Sequence, residues 1–370
     1  MAMPMDRAAT NIERLRVMLF AYATPDGSSM NKFVLIATIL MASSSSAGCF
    51  GLDGGENPGP DNQPQGELLL NHLQMKGTHN SYHVEPAFSP TREYMYTHQP
   101  LGVQGSQQGV RQFEIDVWWD AREGLRVYHN QYDSGTTCPK FEDCLSDLLE
   151  WSQENSEHHT IFIWVEPKDW PEQATELTTT VELSNLLSLI EEEIDQFWPR
   201  EKMLTPDDVR GQRESLKEAV TNDGWPSVES SRGKAIFVLL ARGQMRDLYI
   251  EEHPGLSDAK MFTLSEESSE EAAIFSLADP IGDGEEISRL VSEGYIVRSR
   301  ADSGGEEADS NDKSRLEAAL STGAHSISTD YPAPVEGFDY WVEIPNGTPS
   351  RCNPISSPAW CSSTGLEDLQ

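Results

Sequence analysis

Two histidines and a set of oxygen-bearing side chains stand where short apolar runs end. His79-Asn80 follows Leu73 to Gly77, Glu114 and Asp116 lie inside Val110 to Trp118, His129 follows Leu125 to Tyr128, and Glu166 closes Thr160 to Val165. Residues two apart on a strand share a face, so Glu114 and Asp116 point the same way. Two carboxylates on one inward face are costly unless a cation joins them. Asn80, Glu114, Asp116 and Glu166 all donate through oxygen, as a hard divalent ion requires. Ca²⁺ is expected because it tolerates irregular ligand geometry, with Mg²⁺ as the alternative. His79 and His129 would then move protons. Cleaving a phosphodiester needs a nucleophile deprotonated, a leaving alkoxide protonated and phosphoryl charge stabilised. A metal ion helps by acidifying a coordinated hydroxyl and neutralising phosphate charge.

Such residues, far apart in sequence, need a fold that gathers strand ends. The runs above read as strands, joined by Ala235 to Leu240, Ile274 to Leu277, Tyr295 to Val297 and Ser326 to Ser328. Helical spacing appears between some of them. Phe141 to Gln153 carries Leu145, Leu148, Leu149 and Trp151, and Leu177 to Trp198 carries Leu183, Leu186, Leu187, Ile190, Ile194 and Phe197. Lys313 to Ser321 is a shorter helix stopped by Gly323. The alternation argues an α/β architecture with a parallel sheet. Roughly eight strands in roughly 280 residues fit a closed β/α barrel, whose C-terminal strand ends meet at one mouth.

The motifs Gly77-Thr78-His79-Asn80-Ser81-Tyr82-His83, Phe113-Glu114-Ile115-Asp116-Val117-Trp118 and Val127-Tyr128-His129-Asn130 resemble the phosphatidylinositol-specific phospholipase C superfamily. The nearest match is its Ca²⁺-dependent, exported bacterial branch. The resemblance extends through Val165-Glu166-Pro167-Lys168, Val297 to Asp302, Ser328 to Pro332, and Arg351-Cys352-Asn353-Pro354 with Cys361, so it covers most of 67–361. It implies a TIM-type barrel, distorted or incomplete, of the phospholipase-C-like phosphodiesterase kind. It implies attack of the inositol 2-hydroxyl on phosphorus, release of diacylglycerol, and a cyclic inositol phosphate open to hydrolysis. Residue by residue, His79 and His129 match the catalytic histidines, and Asn80, Glu114, Asp116 and Glu166 match the Ca²⁺ ligands. Lys168 and Arg300 are candidates to hold phosphate or inositol hydroxyls. The implied partner is a phospholipid at a membrane surface. A glycerophosphodiester phosphodiesterase shares the barrel but usually has Arg-Gly after its first histidine, where this chain has Asn80-Ser81. A non-catalytic module that binds headgroups is the third reading.

Each group also has a structural reading. Glu114 and Asp116 can pair with Arg111 or Arg126, Glu166 with Lys168, and Arg300 with Asp330. His83 reads as a loop residue, His158-His159 as surface, and Trp118 and Trp119 as core and rim. No exposed hydrophobic helix suited to inserting into a bilayer is evident.

Lys+Arg 27 against Asp+Glu 61 gives −34, which repels nucleic acid and suits a soluble, monomeric exterior. Lys32, the apolar run Phe33 to Met41 and the small residues Ala42 to Gly48 read as an export signal starting at Met30. Cys49 then sits where a bacterial lipoprotein is lipidated, although Ser46 replaces the commoner Leu. Residues 1–29 read as a non-native extension, 30–49 as the signal, 50–66 as a Gly/Pro/Asn-rich tether, 67–361 as the catalytic domain and 362–370 as a tail. The expected location is the cell envelope, by lipid anchor, or the exterior. Four further cysteines in an exported chain suggest disulfides, Cys138–Cys144 and Cys352–Cys361 being the simplest of three connectivities. A zinc site lacks CxxC spacing.

Overall fold

A computed structural model describes residues 66–89, 91–169, 182–347 and 349–367. The expected extension, the signal with Cys49, and all of the tether but Gly66 lie outside these residues. Ten strands form one sheet: β1 (Leu73–Thr78), β2 (Val110–Asp120), β3 (Gly124–Val127), β4 (Ile161–Pro167), β5 (Ala235–Leu239), β6 (Met261–Thr263), β7 (Ile274–Ser276), β8 (Ile296–Arg300), β9 (Ser326–Thr329) and β10 (Ser350–Cys352). Eight of them run parallel in the order β6-β5-β4-β2-β1-β9-β8-β7. The path nearly closes. Among the described residues no ladder joins its ends, β6 and β7. The expected barrel is therefore present, and it is incomplete.

The central strands form because they are apolar on both faces. Ile161 to Val165 and Ala235 to Leu239 are buried throughout, as a parallel sheet covered on both sides requires. The helix Phe141–Glu154 lays Phe141, Leu145, Leu148 and Trp151 against the sheet, and Leu183–Phe197 lays Leu186, Leu187, Ile190 and Ile194. These residues sit at the i, i+3, i+4 spacing of one helix face. The first residues of the expected Leu177 helix fall outside the described residues.

Two strands are accessory. β10 pairs antiparallel with the first half of β1, from Leu73 opposite Cys352 to Met75 opposite Ser350. β3 returns antiparallel along the end of β2, from Val127 opposite Val117 to Gly124 opposite Asp120. The run Leu125 to Tyr128 is thus a hairpin strand rather than a barrel strand. The barrel's remaining strand is the three-residue β6, too short to read from periodicity. Disulfides join Cys138 to Cys144 and Cys352 to Cys361, the simple pairing.

His158 and His159 are buried, which corrects their reading as surface residues. His158 Nε2 meets Ser152 Oγ at 2.8 Å, and the backbone N–H of His159 donates to Glu367 Oε2 at 2.9 Å. The polar pair is tolerated because each ring also has a hydrogen-bond partner, His159 through Nδ1 to Thr160 O at 3.1 Å.

Candidate active site

The turn after β1 sets the first histidine. Register places Thr78 opposite Thr329 on β9, so His79 and Asp330 leave their strands side by side. His79 Nδ1 lies 2.8 Å from Asp330 Oδ1. A carboxylate only accepts, so Nδ1 carries the proton and Nε2 is left for the site. Nε2 lies 3.9 Å from Glu114 Oε1. Asn80 has a left-handed φ of 43°, a conformation asparagine tolerates better than most residues. Ser81 N donates to Glu114 O at 2.9 Å, and Glu114 N donates to Ser81 Oγ at 2.8 Å. These two bonds pin the His79-Asn80 turn onto β2.

The β2–β3 hairpin sets the second histidine. Trp118 Nε1 donates to Tyr128 O at 2.9 Å and the two rings stack 5.2 Å apart, fixing the residue before His129. His129 Nδ1 lies 2.9 Å from Asp133 Oδ2, so again Nδ1 carries the proton and Nε2 is turned outward. Burial works against charge on His129, but Asp133 and Asp116 outweigh it and raise its pKa above the ordinary value. Burial likewise opposes charge on Asp330, yet His79 and Arg300 hold its pKa well below the carboxylate range.

Between the histidines lie the carboxylates. Glu114 and Asp116 share a face of β2, and Asp116 stands opposite Glu166 on β4. One oxygen from each of Glu114, Asp116 and Glu166 can be chosen so that all three lie within 4.8 Å of one another. Two cations meet this cluster. Lys168 Nζ lies 3.0 Å from Asp116 Oδ2 and 2.8 Å from Glu166 Oε1, and Arg298 pairs with Glu114. Burial and the Asp116 charge push the Glu166 carboxyl up to about 7. For Glu114, Arg298 and His79 overcome burial and lower the pKa. Three carboxylates against two cations leave a negative excess in a buried place. With donors that are all oxygen, this fits a hard divalent ion.

His79, Glu114, Asp116, Glu166 and Lys168 thus form one contiguous cluster, with Asn80 buried between His79 and Ser81. His129 is coupled electrostatically to its Asp116 and Lys168. Arg300 stands apart from the carboxylates, 3.1 Å from Asp330 Oδ2 and 4.0 Å from Asp302 Oδ1. Arg111 and Arg126 do not pair with Glu114 or Asp116. Arg111 holds Glu367 and Arg126 holds Glu123. Sequence reasoning passed over Arg298, although it is two residues from Arg300 on β8 and so on the same face. It also passed over Asp133, four residues after His129 in a tight loop, and treated Asp330 only as an ion-pair partner.

Fold and site together are a β/α barrel with two histidines and a cation-ready cluster of carboxylates at its mouth. The model of the family "Phosphoinositide phospholipase C, Ca2+-dependent" matches residues 68–131 and 121–354. The chain belongs to this family. Its fold is similar to that of a calcium-dependent phosphoinositol-specific phospholipase C from Pseudomonas sp., at 19% identity and TM-score 0.52, over 71% of this chain and 91% of that one. It is similar also to a Ca²⁺-dependent phosphatidylinositol-specific phospholipase C from Streptomyces antibioticus, at 16% identity and TM-score 0.53, over 72% and 95%. No curated protein matches the chain. The family is Ca²⁺-dependent, and the three carboxylates are placed so that they could hold such an ion.

Proposed function

We propose that the chain cleaves phosphatidylinositol to diacylglycerol and a cyclic inositol phosphate by attack of the inositol 2-hydroxyl. The observation that carries this reading is the pair of carboxylate-backed histidines, His79 on Asp330 and His129 on Asp133, around the Glu114–Asp116–Glu166 cluster. Asn80, Glu114, Asp116 and Glu166 would hold Ca²⁺, which would supply positive charge against the phosphoryl oxygens. His79 takes the 2-hydroxyl proton at Nε2, and Asp330 stabilises the imidazolium that results. His129, backed by Asp133, gives a proton from Nε2 to the departing glycerol oxygen. Lys168, next to Asp116 and Glu166, and Arg300, behind His79, hold phosphate or inositol hydroxyls as the substrate enters.

A lipid surface is the proposed partner. Phe88, Met95, Tyr132, Ile281 and Val335 are exposed large hydrophobics, and all lie on loops that follow β1, β3, β7 or β9. Loops with apolar tips supply the contact with the lipid surface. The charge of −34 favours zwitterionic over strongly anionic membranes. Two disulfides support an exported protein, with the signal at 30–49, lipidation at Cys49, a tether to residue 66 and catalysis in 67–361. Among the described residues no helix is long and apolar enough to cross a membrane.

The test offers purified protein phosphatidylinositol, glycerophosphoinositol and glycerophosphocholine, with Ca²⁺ and with a chelator. Diacylglycerol and cyclic inositol phosphate, released only with Ca²⁺, are expected. Cleavage of glycerophosphocholine at a comparable rate would replace this reading with a glycerophosphodiester phosphodiesterase.

A further inference from the structure

His83 closes the motif that carries His79 and Asn80, and its ring is fully buried. His83 Nε2 lies 2.7 Å from Asp133 Oδ1, while the other oxygen of Asp133 meets His129 Nδ1 at 2.9 Å. One carboxylate therefore spans two imidazoles, each donating to it. The segments that carry them are stitched together. Thr137 N donates to Tyr82 O at 2.7 Å and Val84 N to Gly135 O at 3.2 Å. At Gly135 a Cβ would lie 2.0 Å from Val84 O, so no side chain fits the crossing. On the other side His98 clamps the turn. Its backbone N–H donates to His83 O at 2.9 Å, and its Nε2 donates to His79 O at 2.9 Å. Tyr96 fills the space between, stacked on His83 at 4.1 Å and edge-on to His98 at 5.1 Å.

We propose that His83 is a positioning residue that holds His129 through Asp133, so that the turn carrying His79 also sets the orientation of His129. Without His83, Asp133 loses the donor that fixes one of its oxygens and becomes free to rotate away from His129. The ring of His129 is about a quarter exposed, and besides Asp133 its one polar side-chain neighbour at Nδ1 among the described contacts is the amide of Asn130, at 3.1 Å. Its further neighbours are the edge of Tyr94 at 5.4 Å and the charges of Asp116 and Lys168. A buried carboxylate fixed by two donors is the kind of support that keeps a proton-transfer group in productive geometry.

The assignment of His129 as the acid rests on the proposed function, so the experiment has one arm that needs substrate and one that does not. His83→Gln keeps an N–H donor near the position of Nε2, whereas His83→Asn carries the same amide on a chain one methylene shorter. With Ca²⁺ and phosphatidylinositol, His83→Asn is expected to lower kcat by about tenfold to a hundredfold with KM within threefold, and His83→Gln to restore most of it. In the substrate-free protein, NMR is expected to show two hydrogen-bonded imidazole protons, from His83 Nε2 and His129 Nδ1. The second should be lost in His83→Asn and kept in His83→Gln. Equal kcat in the two variants overturns the proposal, as does a His129 proton that persists in His83→Asn. If His83→Asn does not fold, the native spectrum decides, because a missing His83 signal overturns the proposal. A native protein that shows both protons yet cleaves no phosphodiester leaves His83's hold on His129 standing and removes the proposed function instead.

Discussion

The same two strands carry opposite kinds of electrostatics at their two ends. At the floor Arg111, near the start of β2, holds Glu367 through Nε at 3.0 and 3.1 Å, and His159 N, just before β4, donates to the same carboxylate at 2.9 Å. Every charge there has a counter-charge, and Trp151 lies 4.8 Å from the guanidinium. At the mouth Glu114 and Asp116 on β2 and Glu166 on β4 pair with two cations, Lys168 and Arg298, one fewer than the carboxylates. A matched buried ion pair is costly to break, because removing one partner strands the other. An unmatched cluster is a standing cost that a bound cation relieves. The floor holds the fold, and the mouth keeps a charge excess that a cation can fill.

Substitutions at the two ends should therefore do different things. His79→Ala is expected to lower kcat by about 10²–10⁴-fold, read as diacylglycerol release, with a smaller loss of stability in urea than at the floor, because Arg300 still pairs with Asp330. A loss of less than tenfold would remove His79 from the chemistry. Glu367→Gln should do the reverse. It leaves Arg111 buried without its counter-charge and is expected to cost about 3–5 kcal/mol of stability, with kcat of the folded protein unchanged at 25 °C. Intact stability in that variant would mean that the floor is not an anchor.

The pH dependence should also run in opposite directions. Burial opposes the charge on Glu367, but His159 and Arg111 prevail and lower its pKa. Its contribution is present above the ordinary glutamate range and is lost as pH falls through the lowered value. Glu166 has its pKa raised from 4.5 to about 7 by burial and by Asp116. Between those values the folded state binds more protons than the unfolded, so the metal-free protein loses stability as pH rises, by on the order of 1–3 kcal/mol. Ca²⁺, which favours the ionised carboxylate, should flatten this slope, and Glu166→Gln should flatten it without the ion. Thermal unfolding from pH 4 to 8, with and without chelator, measures both. A slope unchanged by Ca²⁺ would count against Glu166 as a ligand.

The mouth was far more legible in the sequence than the floor. His79-Asn80, Glu114, Asp116, His129 and Glu166 sit at ends or on one face of apolar runs, and period-two spacing says which side chains converge. The hairpin nature of Leu125 to Tyr128 was hidden, because a return strand has the same composition as a barrel strand and β6 is only three residues long. The run count suited a barrel even though one run was the wrong strand. The roles of Asp133 and Asp330 depend on register and loop closure across 50 and 251 residues, from His83 and His79 respectively, which no local pattern encodes. The floor was misread for a related reason. His158-His159 is polar in sequence, and its burial depends on Glu367 arriving from the far end of the chain.

The smallest effect expected tests whether the two ends also differ toward lipid. Phe88 is 93% exposed on the loop between β1 and the helix Leu101–Gln107. Trp360 is 38% exposed after β10, which leaves the sheet past the first residue of β1 and so on the floor side. A phenylalanine fully transferred from water to an apolar phase contributes about 1.5–3 kcal/mol. Partial immersion at an interface should be worth roughly half as much. Phe88→Ser should then weaken partitioning onto phosphatidylcholine vesicles by about threefold to tenfold, and Trp360→Ser should leave it unchanged. Cosedimentation at fixed ionic strength reads both. Because neither side chain touches the carboxylates or the histidines, turnover of glycerophosphoinositol, if it is a substrate, should be the same in both variants. Equal losses of binding in the two variants would make lipid contact a general property of the surface and would detach it from the mouth.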